Sequence, residues 1–291
     1  MQQFTVSFPG LGIHDLKIER IALDLELFGM NLEIYWYGVI VALAFLIGLY
    51  LSLRDCKKHP KLSQEDVLDA FLLSVPLSVI GARLYYVAFA WHEFSDNPLR
   101  ILDVREGGMA FYGGVLGGIL ALLILSKRKN LHPTVFLDFF APYLALGQGI
   151  GRWANFVNQE AFGIRTDLPW GMISDGTVAY LQRIGYPYAN SPVHPTFLYE
   201  SIGNIIIFFL LRKFRRSSRI KGEVSAWYLG MYGALRYFTE GLRTDSLYVG
   251  DSDLRISQLL SLLMFTGAYA FLIYSHFKDK RVEEEIENTE E

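Results

Sequence analysis

Cysteine is almost missing from this chain. Its 291 residues hold one, Cys56, which excludes an internal disulfide framework and a cysteine-rich metal cluster. Charge is scarce as well: Asp, Glu, Lys and Arg make up 20% of the residues, against roughly 25% in an average soluble protein. The net charge is −3, so the basic face that nucleic-acid binding needs is not supplied. The first residues lack a basic start followed by a short apolar core, so no cleavable signal peptide is expected. No internal repeat of the kind that marks transporter halves stands out. Neither Gly-x-Ser-x-Gly nor His-Glu-x-x-His occurs, and Asp138 is the one aspartate well inside a later apolar block. An intramembrane protease would need one of those devices or an aspartate pair. The histidines His14, His59, His92, His132, His194 and His276 are scattered, and no metal site is expected.

What the chain has in excess is apolar. Hydrophobic residues reach 52% and aromatics 15%, with 17 Tyr and 21 Phe, which excludes a disordered or collagen-like chain. The apolar residues come in seven long blocks: Ile34–Leu53, Val67–Ala90, Met109–Leu125, Thr134–Val157, Thr196–Leu211, Ser225–Leu242 and Ile256–Phe277. A membrane-spanning helix needs about 20 mostly apolar residues, because about 30 Å of hydrocarbon is crossed at about 1.5 Å per residue. Buried helices of a soluble protein rarely run this long without a polar face. The expected fold class is therefore an all-α polytopic membrane protein with seven transmembrane helices.

Lysine and arginine set its orientation. The segments after the first, third, fifth and last blocks hold sixteen of the 27 Lys and Arg residues, the four opposite segments hold eight, and Arg83, Arg152 and Arg236 lie inside blocks. The alternation puts the N-terminus outside and the C-terminus in the cytoplasm. Five regions follow: an extracytoplasmic N-terminal segment 1–33, transmembrane helices 1–4 over 34–157, a small extracytoplasmic cap 158–195 between the fourth and fifth helices, transmembrane helices 5–7 over 196–277, and an acidic cytoplasmic tail 278–291. Ile18–Leu27 has amphipathic character suited to the membrane surface. Glu283–Glu291 reads as a disordered tail.

Ionisable residues at membrane depth are costly. A central arginine costs about 2.5–3.5 kcal/mol on insertion scales, so three cost on the order of 8–10 kcal/mol unless paired or wetted. Arg152 opens the densest polar stretch, Gly151–Gly163, in which Arg152, Asn155 and Gln159 share a helix face about 60° wide. A guanidinium beside carboxamides suits phosphate and ester oxygens; the plainer alternative is a snorkelling arginine stabilised by Glu160. Tyr228, Tyr232, Arg236, Glu240 and Arg243 form a second stripe, which implies a polar cavity or a structural ion-pair ladder. Arg83 is a candidate for the same cavity, or packs against Glu200 or another carboxylate. The glycines in Gly107–Gly118 permit close approach by a ligand or, more commonly, by a neighbouring helix. His194 opens the fifth block either as a functional residue or as an ordinary loop residue.

Together these motifs resemble the bacterial prolipoprotein diacylglyceryl transferase family across nearly the whole chain. Gly151–Gly163 is similar to its signature G-R-x-x-N-F-x-N-x-E-x-x-G. His194–Glu200 is similar to H-P-T-x-L-Y-E, and Tyr232–Arg243 to Y-G-x-x-R-x-x-x-E-x-x-R. Gly81-Ala82-Arg83 and Tyr35-Trp36-Tyr37-Gly38 also fit. The resemblance implies transfer of sn-1,2-diacylglyceryl from phosphatidylglycerol to the lipobox cysteine of a prelipoprotein signal peptide, at the outer leaflet of the bacterial plasma membrane. The products are a thioether and glycerol 1-phosphate. Phosphatidylglycerol is a co-substrate, and no cofactor is implied. The implied catalytic residues are Arg152, Arg236, Tyr112, Glu160 and Tyr232. The implied substrate-binding residues are Arg152, Asn155, Gly163, Tyr37, Arg83, Gly113, Gly114, His194, Glu240 and Arg243. One departure stands out: where the family has His-Gly-Gly, this chain has Tyr112-Gly113-Gly114. A phenol titrating near 10 is a poor base, so Tyr112 orients by hydrogen bonding, or the base is His194, Glu160 or a lipid phosphate oxygen. A transporter or channel for anions or lipids, or a paralogue with altered catalysis, is the rival expectation.

Overall fold

Each long apolar block coincides with a helix in the computed structural model, which describes residues 3–27, 30–103, 107–248, 250, 252 and 254–290, without the side chains of 27, 30, 31 and 280–290. Helices α1 (Trp36–Cys56), α2 (Gln64–Phe89), α3 (Phe111–Arg128) and α4 (Pro133–Asn158) correspond to the first four blocks. A nine-residue helix, α5 (Asp175–Arg183), lies in the expected cap. Helices α6 (Thr196–Ser217), α7 (Glu223–Leu242) and α8 (Ile256–Glu290) follow. Among the described residues, four helices are long and apolar enough to cross a membrane: α1, α2, α3 and the Ile256–Asp279 part of α8. Helices α4, α6 and α7 carry the buried polar residues discussed below, which lowers their hydropathy.

The all-α expectation needs correction, because five strands are present among the described residues. Strands β1 (Gln3–Phe8) and β2 (Ile13–Glu19) pair antiparallel, and β1 also pairs with β5 (Ile173–Ser174), giving the order β2–β1–β5. Strands β3 (Ile21–Leu27) and β4 (Met30–Tyr35) form a separate antiparallel hairpin. The physical reason is a period of two. Phe4 and Val6 are buried while Thr5 and Ser7 alternate with them, the signature of a half-buried strand. The amphipathic Ile18–Leu27 segment has the same period, Leu23 and Leu25 alternating with Asp24 and Glu26. The C-terminal stretch expected to be disordered continues α8 as helical backbone through Glu290. Arg105 and Glu291 lie outside the described residues, as do the side chains of Lys280 and Arg281.

The chain divides into two units, Met1–Gly48 with Ala141–Glu291, and Leu49–Phe140. In the first, the N-terminal strand and the cap share one core of Phe4, Val6, Phe162, Met172, Leu181, Val193 and Phe197. Burying each large side chain contributes about 1.5–3 kcal/mol. Asp175 seals the same junction by accepting from the Thr5 N–H at 2.7 Å and its hydroxyl at 2.9 Å. Also in this unit, α7 packs against both α6 and α8. In the second unit α2 lies along α3. A Cβ on Gly113 would meet the Gly81 carbonyl and the Tyr85 side chain, and one on Gly81 would meet the Gly113 carbonyl. These glycines therefore serve helix-to-helix contact.

Candidate functional site

The end of α4 is held by its own sequence. Past Asn158 the backbone turns through two left-handed residues, Gln159 (φ 57°) and Ala161 (φ 58°). The Glu160 N–H closes onto the Asn155 carbonyl at 3.0 Å. The buried Gln159 side chain accepts from the Gly176 N–H at the start of α5, and the Thr196 hydroxyl donates to the Ala161 carbonyl. The C-terminal end of α4 is thereby fastened to the starts of α5 and α6.

A second set of bonds fastens α7 to the same place. The Gly163 N–H donates to the His194 carbonyl at 2.9 Å, and the His194 N–H to the Ile164 carbonyl at 3.0 Å. The Ile164 N–H donates to the Leu242 carbonyl at 2.7 Å, and Thr244 donates to the Phe162 carbonyl from its N–H at 3.3 Å and its hydroxyl at 3.2 Å. A Cβ on Gly163 would stand 2.6 Å from the His194 Cβ and 3.0 Å from the Leu242 carbonyl oxygen, so no larger residue fits the crossing. Gly163, His194 and Arg243 are thus brought to one knot of backbone.

Below this knot three helices contribute one charge cluster. Glu200 of α6, 1% exposed, lies between two arginines. Its carboxylate is 2.7 Å from Arg152 Nη2 on α4 and accepts from Arg236 Nη1 on α7 at 3.1 Å. Arg236 Nη2 also donates to Glu240, which is equally buried. Arg152 Nη1 reaches Asn155 Oδ1 at 3.4 Å, and the Asn155 amide donates to Glu160 Oε1 at 2.8 Å. Pairing answers the cost of carrying charge at this depth, since an unpaired partner is strongly destabilising. The Arg152 and Arg236 side chains remain 20% and 15% exposed, so the cluster reaches the surface. Tyr228 and Tyr232 continue the α7 stripe, with rings 5.8 Å apart, and the Tyr228 hydroxyl donates to Gln148 on α4 at 3.0 Å.

Arg243 forms a clasp of its own with Asp245 through Nε at 2.8 Å and Nη2 at 2.6 Å. Burial alone raises the Asp245 carboxyl, but the Arg243 guanidinium outweighs it and holds the group below the usual carboxylate range. His194 Nδ1 lies 3.1 Å from the Tyr199 hydroxyl, which accepts from Trp170 Nε1 at 2.8 Å. Burial pushes the His194 imidazole down, which keeps it neutral at pH 7 and able to take a proton.

The structure brings Arg152, Asn155, Glu160, Gly163, His194, Tyr232, Arg236, Glu240 and Arg243 into one neighbourhood of the first unit. Tyr37 stands exposed in the first turn of α1. Tyr112, Gly113, Gly114 and Arg83 belong to the second unit. Tyr112 is exposed and edge-on to Phe111. Arg83 differs from both expectations. It is buried and donates to five backbone carbonyls: Ile101 from Nε at 2.9 Å, Gly107 and Gly108 from Nη1 at 2.7 and 3.0 Å, and Arg100 and Asp103 from Nη2 at 2.6 and 2.8 Å. All five guanidinium N–H groups are used in this arrangement, so Arg83 holds a segment of chain in place of a phosphate or a carboxylate. Sequence reasoning missed Glu200 as the hub, weighing it as a motif residue and as a partner for Arg83. The signal available was a carboxylate one turn into a helix whose neighbours carry arginines inside apolar blocks.

Most of the chain is similar to known proteins. A family profile described as "Prolipoprotein diacylglyceryl transferase" matches residues 25–274. A protein of Finegoldia magna named phosphatidylglycerol–prolipoprotein diacylglyceryl transferase is 41% identical over 246 residues, covering 84% of this chain and 91% of its own length. Proteins of the same name from Clostridioides difficile and Enterococcus faecalis are 38% and 40% identical, covering 90% and 85% of this chain and 98% and 88% of their own lengths. This chain belongs to the prolipoprotein diacylglyceryl transferase family.

Proposed function

We propose that this chain transfers the sn-1,2-diacylglyceryl group of phosphatidylglycerol to the lipobox cysteine thiol of a prelipoprotein signal peptide. The observation that carries the reading is the meeting of Arg152 and Arg236, from different helices, on Glu200. In the transfer, sulfur bonds to the glyceryl carbon as the carbon–oxygen bond to phosphate breaks, and glycerol 1-phosphate leaves. Negative charge grows on that phosphate. Guanidinium groups already oriented toward it stabilise the transition state without reorganising. Glu200 and Glu240 do the orienting, and Asn155 ties Arg152 to Glu160. The thiol, with a reference pKa of about 8.5, becomes nucleophilic through the arginine field and loses its proton to the neutral His194 or to Glu160. Tyr112 orients a substrate by hydrogen bonding in place of the family histidine. Arg243 and Tyr37 complete the substrate contacts. No cofactor takes part.

The same reading places α1–α4 and α6–α8 as seven membrane spans. The N-terminus and the cap are outside, the acidic C-terminal segment is in the cytoplasm, and the site faces the outer leaflet of the bacterial plasma membrane. The excess of Lys and Arg after the odd-numbered spans supports it.

The test is direct. Purified protein in vesicles receives phosphatidylglycerol radiolabelled in its glyceride portion, together with a lipobox peptide. The peptide should acquire the label as a thioether while glycerol phosphate is released. Arg236→Gln should cut transfer far more than it cuts protein abundance. Movement of labelled lipid without transfer refutes the proposed reaction, and wild-type transfer by Arg236→Gln refutes the clamp.

A further inference from the structure

The β3–β4 hairpin sorts its side chains by chemistry. Across the pair, Leu23 faces Ile34 and Leu25 faces Leu32, while Asp24 faces Glu33. One face is therefore aliphatic and the other acidic. The aliphatic face is open: Leu23, Leu25 and Leu32 are 54%, 40% and 50% exposed. Among the described residues this sheet has two strands. A lone two-stranded hairpin is at best marginally stable in water, and a flat apolar strand face left in water invites aggregation. Something covers it.

The chain itself says what. Strand β4 runs without a loop into α1, one of the helices apolar enough to cross a membrane. The Trp36 N–H donates to the Arg20 carbonyl at 2.9 Å, so the hairpin base is clasped to the first turn of that helix. Tyr35, Trp36 and Tyr37 stand exposed at the join, the composition of an interfacial aromatic belt. The hairpin thus departs at headgroup level, where an element with one greasy and one charged face lies flat.

We infer that β3–β4 is an interfacial blade. Its Leu23, Leu25, Leu32 and Ile34 face rests in the headgroup–acyl boundary of the leaflet at which α1 begins, and its Asp24, Glu26 and Glu33 face looks to water. The partner is the lipid surface itself. The inference stands on the α1 junction and is independent of the transfer reaction.

The test uses full-length protein in vesicles of phosphatidylcholine and phosphatidylglycerol. Single cysteines replace Leu23, Leu25, Asp24 or Glu26 in a Cys56→Ser background, each carrying the same environment-sensitive fluorophore. Quenching by acyl-chain nitroxide lipids should be at least about threefold stronger at 23 and 25 than at 24 and 26, with aqueous iodide showing the reverse order. The same probe on both faces controls for its own greasiness. Equal iodide access on the two faces overturns the inference. Shielding of 23 and 25 from both quenchers also overturns it, because it means that protein, such as a second copy, covers the face. Diacylglyceryl transfer measured on the same samples shows separately whether the enzyme is intact.

Discussion

Replacing Glu200 by glutamine keeps the shape of the side chain and removes the negative charge that two helices share. In the wild type this carboxylate, 1% exposed, sits 2.7 Å from Arg152 and 3.1 Å from Arg236. Removing one member of a buried pair costs about 3–5 kcal/mol, because the other charge stays buried and uncompensated. The lower end applies here. Arg236 retains Glu240, so Arg152 alone loses its carboxylate, and Arg152 is 20% exposed to solvent. About 3 kcal/mol corresponds to a melting midpoint lowered by about 5 °C in a chain of this size. Turnover should fall further than stability does at the assay temperature. A guanidinium displaced by about 1 Å costs on the order of 100-fold in rate. The measurements are thermal unfolding in detergent, followed by tryptophan fluorescence, and diacylglyceryl transfer at a temperature where the variant is folded. Glu160→Gln serves as comparison. Its exposed carboxylate accepts from Asn155, and its loss should move the midpoint by no more than about 2 °C. A Glu200→Gln protein that melts with the wild type, or transfers at the wild-type rate, refutes the hub role of this carboxylate.

Three further outcomes are expected. Arg83→Lys keeps the charge but supplies three donors where five carbonyls are served, so limited proteolysis should cut the 100–108 segment faster than in the wild type; an unchanged cleavage rate counts against the cage. Tyr112→Phe should lower transfer at least about tenfold with no change in melting, and full activity would show that Tyr112 is neither base nor orienter. His194 is held below the ordinary imidazole value by burial, so the unfolded chain takes up its proton first and stability is lost as pH falls below about 6.5. His194→Gln should flatten that part of the melting profile, and a profile identical to the wild type's would show that His194 does not cause the slope.

The helices were legible because the thickness of a bilayer sets a length, and the apolar blocks of α1, α2, α3 and α8 meet it. The candidate charges were legible for the same reason, since arginine among leucines at positions such as 152 and 236 has to be explained. What stayed hidden depends on contacts between distant parts of the chain. Strand β1 finds β5 about 170 residues away, and its Phe4-Thr5-Val6 alternation is too short to stand out against the apolar blocks. Glu200 is one carboxylate in a motif until α4 and α7 close around it. The partners of Arg83 are main-chain carbonyls, which every residue has, so side-chain identity carries no trace of them.

The backbone bonds among Gly163, Ile164, His194, Leu242 and Thr244 bind one end of α4, α6 and α7, and the charges sit one to two turns from that end. Rods strapped together at one tip keep their spacing best near the strap, so charges close to it move little when the helices flex. The spacing of Arg152 and Arg236 is thereby set by the strap as much as by the carboxylate between them.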